Sequence, residues 1–121
     1  MELGWFELSL DVKDIARTRD FYRKLGFDVA GTAAEGRVVV MQKADCRICL
    51  YEGVLDPAET QLIFWQGDVE AIARDLESKG LRFEKAPSRG DGGGVGALLR
   101  DPDGRPIYFV NVPGVARLES S

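Results

Sequence analysis

Two stretches of this 121-residue chain repeat one another at a fixed offset. FELSLDVKDIARTRDFYRKLGFDVAG starts at Phe6 and QLIFWQGDVEAIARDLESKGLRFEKA starts at Gln61; Asp14 and Gly26 in the first stand 54 residues before Asp68 and Gly80 in the second. A repeat with matched start and stop signals requires one supersecondary unit to be built twice, which restricts the fold more than any other feature. Each segment reads as strand, helix, strand. Asp14 and Asp68 suit the N-cap, where a side-chain oxygen satisfies a free helix N–H. Ile15, Thr18, Tyr22 and Leu25 share one face at helical spacing, as do Val69, Ile72, Ala73 and Leu76. Gly26 and Gly80 fall where a helix end needs a left-handed residue. Two capped amphipathic helices can resemble each other by chance, but matched caps with matched flanking strands favour a duplication.

More strands follow each helix. FDVAGTAA turns at Glu35-Gly36 into RVVVMQKA, and Asp45 turns the chain into CRICLYE. In the second half LRFEKAP leads through the glycine-rich SRGDGGG to VGALLR, and an Asp-Pro-Asp-Gly turn leads to RPIYFVN. Both halves therefore predict β-α-β-β-β and an α+β fold. The first module covers 1–52, a linker 53–59, the second module 60–112 and a flexible tail 113–121, all within one structural domain for a chain of this length.

Composition narrows the function. Hydrophobic residues at 45% and charged residues at 30% describe a globular protein, and a net charge of −4 argues against nucleic acid. The start, MELGWFELSL, lacks the basic region of a signal peptide, and nothing approaches the ~20 apolar residues of a membrane span. A cytoplasmic protein without membrane or nucleic-acid partners is expected. Cys46 and Cys49 form a CxxC, but there is no second pair and no histidine to complete a structural zinc site. On a strand these two thiols point to opposite faces about 10 Å apart, too far for a disulfide, so both are expected reduced. GDGGGVG is neither a Walker loop nor a dinucleotide fingerprint, since no strand enters it and no helix leaves it. It reads as a flexible hairpin loop, with the alternative that it borders a ligand site as a lid.

Two βαβββ modules, Asp-capped helices ending in Gly, and a late Asp-Pro-Asp-Gly turn resemble the vicinal oxygen chelate superfamily. That group includes glyoxalase I, fosfomycin-resistance enzymes, extradiol dioxygenases and bleomycin-resistance proteins. DFYRKLGF and RDPDGRPIYFV carry the resemblance best, and it spans roughly residues 4 to 112. It implies a curved mixed sheet, with the two modules forming a cup and the helices outside. It also implies metal-ligand positions on the first and last strand of each module, here Glu7, Cys49, Gln61 and Tyr108. Members more often carry His or Gln, Glu, His and Glu there. A phenol ionises only near ~10, and a thiol beside a carboxylate resists ionisation, so this set offers few ligands to a divalent ion. No metal and no other cofactor is therefore expected.

Given those four positions, strand alternation predicts the cup lining. Trp5, Glu7, Ser9 and Asp11 face inward while Phe6, Leu8, Leu10 and Val12 pack under the helix. Arg47, Cys49 and Tyr51 follow on the fourth strand, Gln61, Ile63 and Trp65 on the fifth, and Tyr108 and Val110 on the last. Aromatic walls with a few polar groups suit a flat organic ligand, although aromatics also fill cores, and Glu7 and Arg47 could simply pair. The resemblance is closest in character to the metal-free bleomycin-resistance branch. It implies a homodimer that sequesters a planar or aromatic antibiotic or toxic metabolite. The alternative it implies is a lyase, isomerase or dioxygenase, either with a divalent metal around Glu7 and Gln61 or with Glu7 as proton-transferring base.

Overall fold

The structure, a computed structural model, describes residues 1–117. Eight strands and two helices alternate as β1 (Gly4–Asp11), α1 (Ile15–Lys24), β2 (Asp28–Ala33), β3 (Val38–Lys43), β4 (Cys46–Tyr51), β5 (Gln61–Gln66), α2 (Val69–Ser78), β6 (Lys85–Arg89), β7 (Val95–Arg100) and β8 (Pro106–Asn111). The α+β class and the twice-used βαβββ order are those the repeat predicts. The chain forms two compact units, one of Met1–Phe6 with Gln61–Ala116 and the other built on Glu7–Thr60.

In the unit built on Glu7–Thr60 the strand order is β2-β3-β4-β1. β1 runs parallel to β4, with Ser9 opposite Cys49 and Asp11 opposite Tyr51, and β3 joins β2 and β4 antiparallel. Alternation then sorts the side chains. Leu8, Leu10, Ile48, Leu50, Val39 and Met41 form the core on which Ile15 and Tyr22 of α1 pack, whereas Cys49, Tyr51, Val38 and Val40 gather on the opposite face. The Asp14 side chain accepts from the Arg17 N–H at 3.1 Å, as its position predicts. A second acceptor was not legible locally: the Glu52 carboxylate takes the Ile15 N–H at 2.8 Å from 37 residues away. Lys43 Nζ donates to the Leu25 carbonyl at 2.8 Å and occupies the space where a Cβ on Gly26 (φ +97°) would stand.

The other unit repeats the plan in the order β5-β8-β7-β6, again with its first and last strands parallel. Val69 and Ile72 of α2 pack on Ala97, Leu99 and Phe109, joined by Phe64 and Ile107. Asp68 caps α2 through the Ala71 N–H at 3.1 Å. At the Asp-Pro-Asp-Gly turn, Asp101 accepts from the N–H groups of Asp103 and Arg105 at 2.9 and 2.8 Å, fixing the hairpin that delivers β8.

Three expectations shift. β6 is Lys85–Arg89, so it gives up Leu81–Glu84 and takes Ser88-Arg89 from the expected loop. The helix end explains this: Gly80 (φ +91°) turns the chain, the Leu81 N–H returns to the Leu76 carbonyl, and pairing with β7 starts only near Glu84. Phe6 lies under neither helix; it is 46% exposed and its ring sits 5.4 Å from Phe64. This follows from Gly4 (φ +99°), where a Cβ would overlap the Trp65 carbonyl, so the chain's first residues lie directly on the end of β5. Part of the segment expected as a tail is also tied down. Gln66 donates to the carbonyls of Val112 and Val115 at 2.7 and 2.6 Å and accepts from the Val112 N–H at 2.7 Å. Gln66 holds φ +66°, a conformation that costs a non-glycine residue about 1–2 kcal/mol, which these bonds offset. Residues 118–121 of that segment lie outside the described residues.

Candidate functional site

The nine residues expected to line a ligand site divide between the two units. Glu7, Arg47, Cys49 and Tyr51 share the helix-free face of the first. Glu7 is 5% exposed and Cys49 1%, and the Tyr51 hydroxyl donates to Glu7 Oε1 at 3.2 Å. Arg47 Nη1 donates to Oε1 of Gln42, its neighbour across the β3–β4 ladder, at 3.1 Å. Ser9, opposite Cys49, is fully buried, and its hydroxyl has no hydrogen-bond partner among the described residues. Burial, reinforced by the adjacent Glu7 carboxylate, pushes the Cys49 thiol well above its ordinary range. Burial does the same to the Tyr51 phenol, with Cys49 and Glu7 adding to it. Both groups are therefore neutral hydrogen-bonding groups near pH 7 and not anionic ligands.

Trp5, Gln61, Ile63, Trp65 and Tyr108 lie in the second unit, on the face that α2 does not cover. Trp5 stacks on Trp65 with ring centroids 5.5 Å apart and planes 17° from parallel. Gln61 and Ile63 are buried, and Ile63 lies opposite Tyr108 in the β5–β8 ladder. Tyr108 is half-buried. Its ring extends across β7 over Gly96, where a Cβ would stand 2.7 Å from the Tyr108 hydroxyl oxygen and 3.1 Å from Cζ. A groove of about 370 Å³ opens beside that ring, lined by Val110 and Val112 and by the β6–β7 hairpin from Ser88 to Gly96. The glycine-rich hairpin thus borders a groove, the place its sequence allows as a lid, and its strand residues form part of the wall. Gly96 inside a strand was the available signal, since such a glycine often marks a close approach of another group.

The four family ligand positions do not fit a divalent metal. They supply one carboxylate that already accepts from Tyr51, one neutral amide, one thiol held protonated by its surroundings and one phenol packed over a glycine. The chain has no histidine, and among the described residues no three His, Cys, Asp or Glu side chains group as a metal site. Cys46, exposed, and Cys49, buried, are both free thiols, as their opposite directions on β4 require. No helix among the described residues is long and apolar enough to cross a membrane.

A family model described as Glyoxalase/Bleomycin resistance protein/Dioxygenase superfamily matches residues 4–109. No curated protein sequence matches the chain. Among solved structures, the chain is similar to a Legionella pneumophila protein described as NAD-dependent benzaldehyde dehydrogenase, at 19% identity and TM-score 0.73, covering 89% of this chain and 99% of that one. It is also similar to a glyoxalase/bleomycin resistance protein/dioxygenase superfamily member from Vibrio splendidus, at 20% identity and TM-score 0.62, covering 88% and 95%. Methylmalonyl-CoA epimerase from Mycobacterium tuberculosis gives 18% identity and TM-score 0.62, covering 93% and 91%. Likeness at these identities concerns the fold and carries no activity across.

Proposed function

The chain belongs to the glyoxalase/bleomycin resistance protein/dioxygenase superfamily, and we propose that within it this protein binds a small planar or aromatic organic molecule without the help of a metal. One observation carries the reading. Where the family places a metal-binding carboxylate, this chain has Tyr108, and that ring walls a groove of ligand size. The stacked Trp5 and Trp65 on the same helix-free face support it, because aromatic surface there can hold a flat ring by dispersion and stacking. Sequestration of an antibiotic or toxic metabolite, a homodimeric state and a cytoplasmic location complete the proposal.

The test pairs metal analysis with a binding assay. Protein purified without chelators should contain no stoichiometric divalent metal, and EDTA should leave its Tm unchanged. Planar aromatic compounds should raise Tm and quench tryptophan fluorescence, and Tyr108→Ala should weaken both effects several-fold, as expected for loss of about 1–2 kcal/mol of stacking and burial. A stoichiometric metal that disappears on Glu7→Ala would sink the proposal.

A further inference from the structure

Gln66, the last residue of β5, is the only left-handed non-glycine among the described residues of its unit, at φ +66°. Glycine takes that φ at no steric cost, and asparagine tolerates it better than most residues do. The glutamine side chain supplies what neither would. Its Nε2 donates to the Val112 and Val115 carbonyls at 2.7 and 2.6 Å, and its Oε1 accepts from the Val112 N–H at 2.7 Å. One carboxamide thus spends three of its four hydrogen-bonding positions on a single segment beyond β8.

The grip falls on both main-chain groups of Val112. The β7–β8 ladder ends with Val95 opposite Asn111, and the β5–β8 ladder ends with Trp65 opposite Val110, so no ladder pair fixes Val112. With its N–H and carbonyl both held, its side chain is set against the hairpin. A Cβ on Gly94 would stand 3.4 Å from Val112 Cγ2, and one on Gly93 would stand 3.9 Å from Pro113 Cγ. Val112 is a wall of the groove beside Tyr108, and Gln66 is not.

We infer that Gln66 is a positioning residue for ligand binding in this groove: its carboxamide holds Val112 in place as a fixed apolar wall. This role rests on the binding reading above and adds the residue that pre-organises the site. Gln66 touches no ligand and acts through Val112. A wall ordered before the ligand arrives need not be ordered on binding, so release of the clamp is read as lost affinity.

The test measures binding of uncharged 2-naphthamide to the full chain by calorimetry, below the melting range of every variant, with heteronuclear NMR locating the probe. In the unaltered chain the probe should shift the amides of Gly94, Gly96 and Val110 to Val112. Gln66→Gly removes the clamp together with the backbone strain. Gln66→Glu keeps the side-chain shape but sets a carboxylate against two carbonyls. Each should weaken binding about five-fold, the size expected when one apolar wall must be ordered by the ligand. In Gln66→Gly the Val112 amide should exchange with solvent at least about ten-fold faster. Val112→Ala should weaken binding by a similar factor, and adding Gln66→Gly to it should weaken binding little further. Unchanged affinity in Gln66→Gly, or an equally protected Val112 amide, overturns the inference and leaves the binding reading standing. Losses that multiply in the double variant overturn it too, because Gln66 then acts elsewhere than through Val112. No binding to the unaltered chain overturns the binding reading and this role with it.

Discussion

Cys49 and Tyr51 stand next to a buried carboxylate, and their protonation follows from that position. Cys49 is raised above its ordinary 9.0 by burial first and Glu7 second, and Tyr51 above 10.0 by burial, Cys49 and Glu7. As pH passes 9.0 the unfolded chain releases the thiol proton while the native chain keeps it. The native state then binds more protons than the unfolded one, so stability falls as pH rises. Urea midpoints should therefore drop between about pH 9 and 11, and Cys49→Ala should remove the part that begins first. A midpoint flat across that range would contradict the assignment. An aromatic disulfide reagent at neutral pH should modify Cys46 alone, with Cys49 reacting only after denaturation. Gly96 gives a second test. A Cβ there displaces the Tyr108 hydroxyl, so Gly96→Ala should cost about 1–2 kcal/mol, and Tyr108→Phe in the same chain should recover part of it. Denaturant titration of the two single variants and the double variant measures the coupling.

The two helices share caps and length but differ in what they bury. α2 buries Val69, Ile72 and Ala73, whereas no residue of α1 is buried and Phe21 and Leu25 are 58% and 50% exposed. Packing rather than propensity supplies most helix stability, so the repeat conceals an inequality. Native-state hydrogen exchange should show α1 amides opening at lower free energy than those of α2. Asp14→Ala should lower the α1 value by about 1 kcal/mol more, less than total loss because Glu52 still accepts from Ile15. Equal protection of both helices would refute this. Element types and cap residues were legible because caps and periodicity are local. The start of β6 was not, because it depends on where the chain leaving Gly80 first meets β7.

At the scale of the whole chain, the family is settled by the match over residues 4–109, and the activity is not carried with it. The duplication, the two βαβββ plans and the face on which each β4 residue lies were all readable in one dimension. Offset, caps and a period of two are properties of neighbouring residues. Glu7, Cys49, Gln61 and Tyr108 were marked only through resemblance, and their residue types alone argued for few metal ligands. Tertiary structure decided what surrounds them. Tyr51 donates to Glu7 from 44 residues away, and Phe6 lies on Phe64. Gln66 reaches 46 residues to Val112, and Tyr108 crosses Gly96 to wall a groove. Each depends on the register between strands distant in sequence. Hydrophobic pattern fixes which face a residue takes, but only the completed sheet fixes which side chain it meets there.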